Sequence, residues 1–273
     1  MKVYCILSDE RAYRSKSPIM FSTVLKRLGI NGAYVPFMVK SENIGQACQS
    51  LKILNIAGAN VTVPYKESVI PFMDVLSEGA NIIGSINTIV RNGDELKGYN
   101  TNAVGIMDAL NKAGFDPERK SALVFGTGGA AKAVVFILNW LRTNSVFVSG
   151  RNDEKTRQLV TRMGGEAISL GTLKDQPPLV ELIVNATSVS SPEESPEMAS
   201  LVAELQLPQC QLVLDLNYGR TQNFWRDLAH RKDVPFMDGL SPLAYQARRT
   251  FALWTGLQVP PEEFLKALDG EAG

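Results

Sequence analysis

The sequence predicts an α/β protein of two domains, the second built on a doubly wound sheet. Three observations lead there. At 273 residues the chain is long enough for two hydrophobic cores. Its N-terminal third alternates strand-like and helix-like stretches, the pattern of parallel strands joined by helices. Near Gly126 a glycine-rich turn joins a short apolar strand to a helix, which is how a βαβ unit begins.

Lys2–Leu7 alternates loosely and reads as the first strand. Pro18 suits the first turn of a helix running through Met20, Val24, Leu25 and Leu28 to Gly29. Ala33–Val39 reads as a strand and Glu42–Leu54 as a helix. The strand Ile56–Val63 is small and β-branched, and Pro64 stops it because proline has no N–H for the ladder. Ser68–Gly79 looks helical. Ser85–Arg91 reads as a strand, Asn92-Gly93 as a turn, and Glu95–Tyr99 as the strand that completes a hairpin. Asn100-Thr-Asn then opens a helix from about Ala103 to Ala113.

Ser121–Phe125 is a short apolar strand, and Gly126-Thr-Gly-Gly-Ala opens directly into a helix ending near Arg142. Ser145–Ser149 is the next strand, with Arg151 just beyond it. The turn departs from G-x-G-x-x-G, since alanine holds the third position and one glycine is doubled. Its flanks fit on both sides, so dinucleotide binding by a Rossmann-type domain is the better reading than a plain tight turn. Backbone N–H groups at a helix N-terminus meet a pyrophosphate, and side chains there would block its approach. Glu181–Thr187 and Gln211–Leu216 add two buried-type strands, separated by a polar, proline-rich loop at 190–196. Ser241–Gly256 has helical spacing with Phe251 and Trp254 toward the core. A last helix follows Pro261, then a frayed tail, Gly270–Gly273.

Composition removes several classes of function. Lys+Arg and Asp+Glu both total 28, so neither nucleic acid nor an anionic membrane is an expected partner. The opening run meets Ser8-Asp9-Glu10-Arg11 too early for a signal peptide, and no apolar run approaches the ~20 residues of a membrane helix. A cytoplasmic location is expected, as a monomer or a homodimer. Cys5, Cys48 and Cys210 stand far apart and read as reduced, buried thiols. The single histidine, His230, lies among Arg226, Asp227, Arg231 and Lys232 and reads as a surface residue. A Ser-His-Asp triad and a histidine metal site are therefore not expected, and proton chemistry falls to Lys, Tyr, Asp or Glu.

Asn60–Lys66 is the stretch where such chemistry converges. Lys66 follows a strand end, where open α/β sheets place their ligands. Asn60 and Thr62, two apart, project from one side of that strand. An amide, a hydroxyl and an ammonium thus point toward one spot. Taken alone, a lysine after a turn is more often a solvated side chain.

Other motifs change that balance. There are paired serines at Ser15 and Ser17, Asn-x-Thr-x-Pro-x-Lys at Asn60–Lys66, and Gly-x-x-Asn-Thr at Gly84–Thr88. The glycine-rich turn is Gly126–Ala130, Asn-Ala-Thr is Asn185–Thr187, Asp-x-x-Tyr is Asp215–Tyr218, and the closing stretch is Gly239–Gly256. Together these motifs resemble the shikimate dehydrogenase family over nearly the whole chain. The resemblance implies an N-terminal α/β substrate domain, residues 1–103 completed by 241–273, and a Rossmann-type NADP-binding domain, 104–240. It implies hydride transfer between NADP and the ring ketone of a hydroxylated cyclohexene carboxylate, interconverting 3-dehydroshikimate and shikimate. Lys66 would be the proton-transfer group. Ser15 and Ser17 would bind the carboxylate, and Asn60, Thr62, Asn87, Tyr218 and Gln246 the carboxylate or ring hydroxyls. Gly126, Thr127, Gly128, Gly129, Ala130, Arg151, Asn152, Thr187, Ser188 and Gly239 would bind the cofactor. Arg151 favours the 2′-phosphate of NADP, while Asp153 stands close enough to leave NAD open.

Two departures bear on activity. In Gly98-Tyr-Asn-Thr-Asn, Asn102 occupies the family's aspartate position, the second member of its catalytic pair. Asparagine keeps the shape but carries no charge and accepts no proton, so Lys66 should titrate lower and turnover should weaken. Phe21-Ser22 stands where the family usually has His-Asn, which implies a diverged pocket. The alternatives are a quinate or other ring-acid dehydrogenase, and a non-catalytic ligand-binding sensor of the same fold.

Overall fold

The computed structural model describes residues 1–269, so the expected tail Gly270–Gly273 lies outside the described residues. The chain divides into two compact units, residues 1–105 with the segment from Leu243, and Ile106–Pro242.

The first unit holds six strands: β1 (Lys2–Ser8), β2 (Gly32–Met38), β3 (Gly58–Val61), β4 (Val75–Leu76), β5 (Thr88–Asn92) and β6 (Glu95–Tyr99). They form one sheet in the order β2-β1-β3-β5-β6-β4. β1 pairs in parallel with β2 and β3, as strand–helix alternation predicts. β5 runs antiparallel to β3, and β6 returns antiparallel to β5 because a two-residue turn allows no crossover. The expected helix at 68–79 does not form. A 3-10 turn, Ile70–Phe72, is followed by β4, and the helix starts only at Glu78. Pro71 has no N–H to donate, and Asp74 turns its carboxylate to the Leu96 N–H at 2.6 Å instead of continuing a helix. Ser77 caps the helix Glu78–Ile83, which ends at Gly84 in the left-handed region.

Phe21, where the family usually has histidine, is buried in the core. On the helix Ser17–Arg27 it shares the buried face with Met20, Val24 and Leu25, and Ser22 turns to solvent. Its ring stacks on Tyr34 with centroids 4.8 Å apart and packs edge-on against Phe264. Trp254 joins this aromatic core by stacking on Tyr4 at 4.7 Å. Its indole N–H donates to Ile89 O at 3.0 Å. Gly58 makes room for it, since a Cβ there would lie 2.2 Å from Trp254 Nε1.

The second unit carries β7 (Ser121–Phe125), β8 (Ser145–Ser149), β9 (Glu166–Ala167), β10 (Leu182–Asn185), β11 (Leu212–Asp215) and β12 (Phe236–Met237). Their order is β12-β11-β10-β7-β8-β9, and every pairing is parallel. The order reverses between β7 and β10, the switch point at which doubly wound sheets bind dinucleotides. Phe125, Ile183, Val213 and Trp225 fill the core beneath that point. Strands covered by helices on both faces read as continuous apolar runs, which is why they were visible in the sequence.

The cysteines are all free and buried, and His230 is exposed. Among the described residues no helix is long and apolar enough to cross a membrane, and no group of three or more His, Cys, Asp or Glu could hold a metal ion.

Candidate active site

Polar side chains of the first unit gather where β3 and β6 end and β5 begins. The turn after β3 is closed by Tyr65 N–H donating to Thr62 O at 2.9 Å and contains a cis Val63–Pro64 bond. Ile86 N–H then donates to Lys66 O at 2.8 Å, tying the lysine to the start of β5. Lys66 is half-buried, and its ammonium has no protein partner among the described residues. Burial penalises the charged form and pushes its pKa down to about 8.

Next to that anchor stands Asn87, 3% exposed and the hub of the group. Its Oδ1 accepts the Thr101 backbone N–H at 2.7 Å. Its Nδ2 lies 2.8 Å from Asn102 Oδ1 and 2.7 Å from Gln246 Oε1. Three of the expected site residues are therefore in direct contact. Asn102 opens the helix Asn102–Lys112, whose first turn is held by Asn100 Oδ1 accepting from the N–H groups of Asn102 and Ala103. Gln246 comes from the helix Leu240–Thr255, which packs Phe251 and Trp254 into the core on its other face.

Asn60 is braced from within the first unit. Its Nδ2 donates to Asn87 O at 3.0 Å and to Thr88 Oγ1 at 3.3 Å, and its Oδ1 accepts from Tyr34 OH at 2.8 Å. Those bonds use both amide protons beneath the site. Thr62 is half-buried and held through its backbone, whose N–H donates to Leu7 O at 3.2 Å. Ser17 begins its helix and donates its N–H to Ser15 Oγ at 3.2 Å, so both hydroxyl protons remain unused at a helix N-terminus. Tyr218 belongs to the second unit, three residues past the end of β11.

A buried triangle of hydroxyls was missed in the sequence. Thr88, Thr101 and Thr250 lie within 2.9–3.3 Å of one another and link the hairpin, the turn before Asn102 and the helix of Gln246. Thr88 and Thr101 stand inside two of the motifs, but nothing in the spacing of either points to Thr250, about 150 residues further along the chain.

In the second unit Gly126 has φ +118°, and a Cβ there would lie 2.9 Å from the Ala186 backbone. Only glycine lets this turn lie flat against the end of β10. Gly128 is exposed, caps the helix Gly129–Trp140 without a side chain, and a Cβ there would meet nothing within 4 Å. The first helical bond runs from Lys132 N–H to Gly128 O, so the N–H groups of Gly129, Ala130 and Ala131 have no helical partner. An open, uncapped cradle of this kind fits a pyrophosphate. Thr127 packs against Gly150, where a Cβ would lie 2.8 Å from its methyl group.

Arg151 is exposed beyond β8, and Asn152 caps the helix Asp153–Met163 by accepting from Lys155 N–H at 2.9 Å. Asn152 Oδ1 is thereby committed to the helix. At the ends of β10 and β11, Asp215 is fully buried and accepts from Asn185, Asn217 and Asn223. Asn217 Nδ2 also donates to Thr187 O at 2.9 Å, fixing the loop that carries Thr187 and the exposed Ser188. Gly239 N–H donates to Asn217 O at 3.0 Å, an approach so close that a Cβ would lie 2.2 Å from Leu216 O.

Known proteins share both halves of this arrangement. Residues 10–89 match the shikimate dehydrogenase substrate binding domain, and residues 109–222 match shikimate / quinate 5-dehydrogenase. A shikimate dehydrogenase (NADP(+)) of Desulforamulus reducens is 38% identical over 90% of this chain and 87% of its own length. One from Pyrococcus furiosus is 37% identical over 93% and 90%. The crystal structure of shikimate dehydrogenase from Aquifex aeolicus superposes with a TM-score of 0.88 at 30% identity, covering 98% of this chain and 97% of that one. A Thermus thermophilus shikimate 5-dehydrogenase, solved in complex with NADP(H) and shikimate, gives 0.86 at 30% identity over 99% of both chains. With agreement across both units, the chain belongs to the shikimate dehydrogenase family.

Proposed function

We propose that this chain is an NADP-dependent oxidoreductase interconverting 3-dehydroshikimate and shikimate, its turnover weakened by Asn102. The observation that carries the reading is Lys66, an ammonium with depressed pKa and no protein partner, anchored beside the Asn87–Asn102–Gln246 group. NADP, when bound, supplies the hydride acceptor for oxidation, and NADPH the donor for reduction.

The chain's own residues bind the acid and manage its proton. Ser15 and Ser17 donate their hydroxyl protons to the ring carboxylate at the helix N-terminus, where negative charge is favoured. Thr62 and Gln246 bond ring oxygens. In reduction the Lys66 ammonium stabilises charge developing on the ketone oxygen and protonates it. In oxidation the neutral amine takes the hydroxyl proton, and a pKa of about 8 keeps both forms populated near neutral pH. Asn102 fills the aspartate's place without accepting a proton. Asn60 and Asn87 act as positioning residues, held by Tyr34 and Thr101.

The turn Gly126–Ala130 holds the pyrophosphate, with Arg151 meeting the 2′-phosphate and Thr187, Ser188 and Gly239 completing the cofactor site. Preference for NADP is modest, because Asp153 and Glu154 place two carboxylates in the helix turn after Arg151. Initial rates with shikimate and quinate, each with NADP+ and NAD+, test the reading. Shikimate with NADP+ is expected to give the highest kcat/KM. Turnover confined to quinate, or binding of NADPH without turnover of either acid, would replace it.

A further inference from the structure

The orientation of three amides follows from one backbone group. Thr101 N–H can only donate, and it lies 2.7 Å from Asn87 Oδ1. The other amide atom of Asn87 must then be its NH2. That nitrogen faces Gln246 Oε1 at 2.7 Å, Asn102 Oδ1 at 2.8 Å and Thr101 Oγ1 at 2.9 Å. Its two protons are best spent on the two amide oxygens, since the threonine hydroxyl has Thr88 and Thr250 within reach as further partners.

Asn102 and Gln246 are thereby both locked with oxygen inward and NH2 outward. Turning either over would set NH2 against NH2. Neither outward nitrogen has a partner among the described residues, and neither is sealed from solvent. The Lys66 ammonium is likewise unpartnered. With aspartate at 102 the same inward bond would leave an acceptor oxygen facing out. Asparagine leaves a donor there.

We infer that Asn102 and Gln246 form a locked donor pair that selects ligands by the hydrogen-bond polarity of the ring oxygen they meet. This rests on the reading of the first unit as a ring-acid site. A ketone or carboxylate oxygen accepts from both donors. A hydroxyl in the same place finds an acceptor for its own proton only in the neutral Lys66 amine, so below the lysine's pKa, where the titrations are run, that bond is unmade and costs roughly a factor of 10–100 in affinity. The chain therefore binds the ketone form of its ring acid more tightly than the alcohol form. Asn102 becomes a specificity-determining residue for which redox form of the ring acid the site holds.

The test is calorimetric titration of 3-dehydroshikimate and of shikimate, without nicotinamide, into the unmodified chain, Asn102→Asp and Gln246→Glu. In the unmodified chain the ketone is expected to bind roughly tenfold or more tightly than the alcohol. Each carboxylate variant restores an outward acceptor, so the ratio falls toward unity or inverts in both. The two variants sit on different helices, so misfolding of one leaves the other informative. Ratios that agree within about twofold across all folded proteins overturn the donor pair while leaving the ring-acid site standing. Failure of both acids to bind any of them overturns the site and the donor pair together.

Discussion

Asn102→Asp is expected to raise the rate of shikimate oxidation by NADP+ by roughly 10²–10⁴-fold, the range a positioned acid–base group contributes. The new carboxylate inherits the bond from Asn87 Nδ2 at 2.8 Å, so the hub geometry is kept. Its second oxygen faces outward as an acceptor and carries negative charge. A charge there favours the protonated lysine and raises the Lys66 pKa from about 8. The gain should appear in kcat more than in KM, because it concerns proton handling in the transition state. An unchanged kcat in a variant that folds and binds shikimate would show that position 102 is not part of the proton path.

Lys66→Met should lower kcat by about 10²-fold or more in the unmodified chain, with a smaller change in KM. Methionine roughly preserves the length of the stem and removes the ammonium. The sharper form of this prediction is a cycle: in the Asn102→Asp background, Lys66→Met should cancel most of the gain. Residues that act as one unit are non-additive, so the aspartate without its lysine recovers little. Additive effects on log kcat would mean that the two groups work independently. Melting temperatures of the variants separate loss of chemistry from loss of fold, since among the described residues the Lys66 side chain makes no hydrogen bond and its carbonyl accepts from Ile86 N–H.

Much of the second unit was legible because its signals are local. A strand, a glycine turn, a helix and a second strand are adjacent in the chain, and β7 and β8 begin and end where apolar periodicity places them. The β5–β6 hairpin was legible for the same reason, through Asn92-Gly93. The segment 68–79 misled because its residues are compatible with a helix, while the decisive contact, Asp74 to Leu96 N–H, comes from 22 residues away. Phe21 was legible as a departure from His-Asn but not as a core residue, since the aromatic cluster that claims it joins Tyr34, Phe251, Trp254 and Phe264 from distant parts of the chain.

The site itself was legible as residue types more than as roles. Asn60 and Asn87 were visible, yet their orientation depends on Tyr34, Thr101 and a threonine pair 162 residues apart. Such networks leave no period in the sequence. They determine which amides face a ligand and which brace the site from below, and hence which substitutions change chemistry rather than fold.

The central claim is that a lysine with a lowered pKa moves the proton in this chain. The most direct test is the pH dependence of kcat/KM for shikimate oxidation by NADP+, which reports ionisations of the free enzyme. Oxidation needs the neutral amine, so the rate should rise with pH through a single limb near 8 and level off above it. The limb should vanish in Lys66→Met. A flat profile in the unmodified chain, or a limb that survives removal of the amine, would contradict the account.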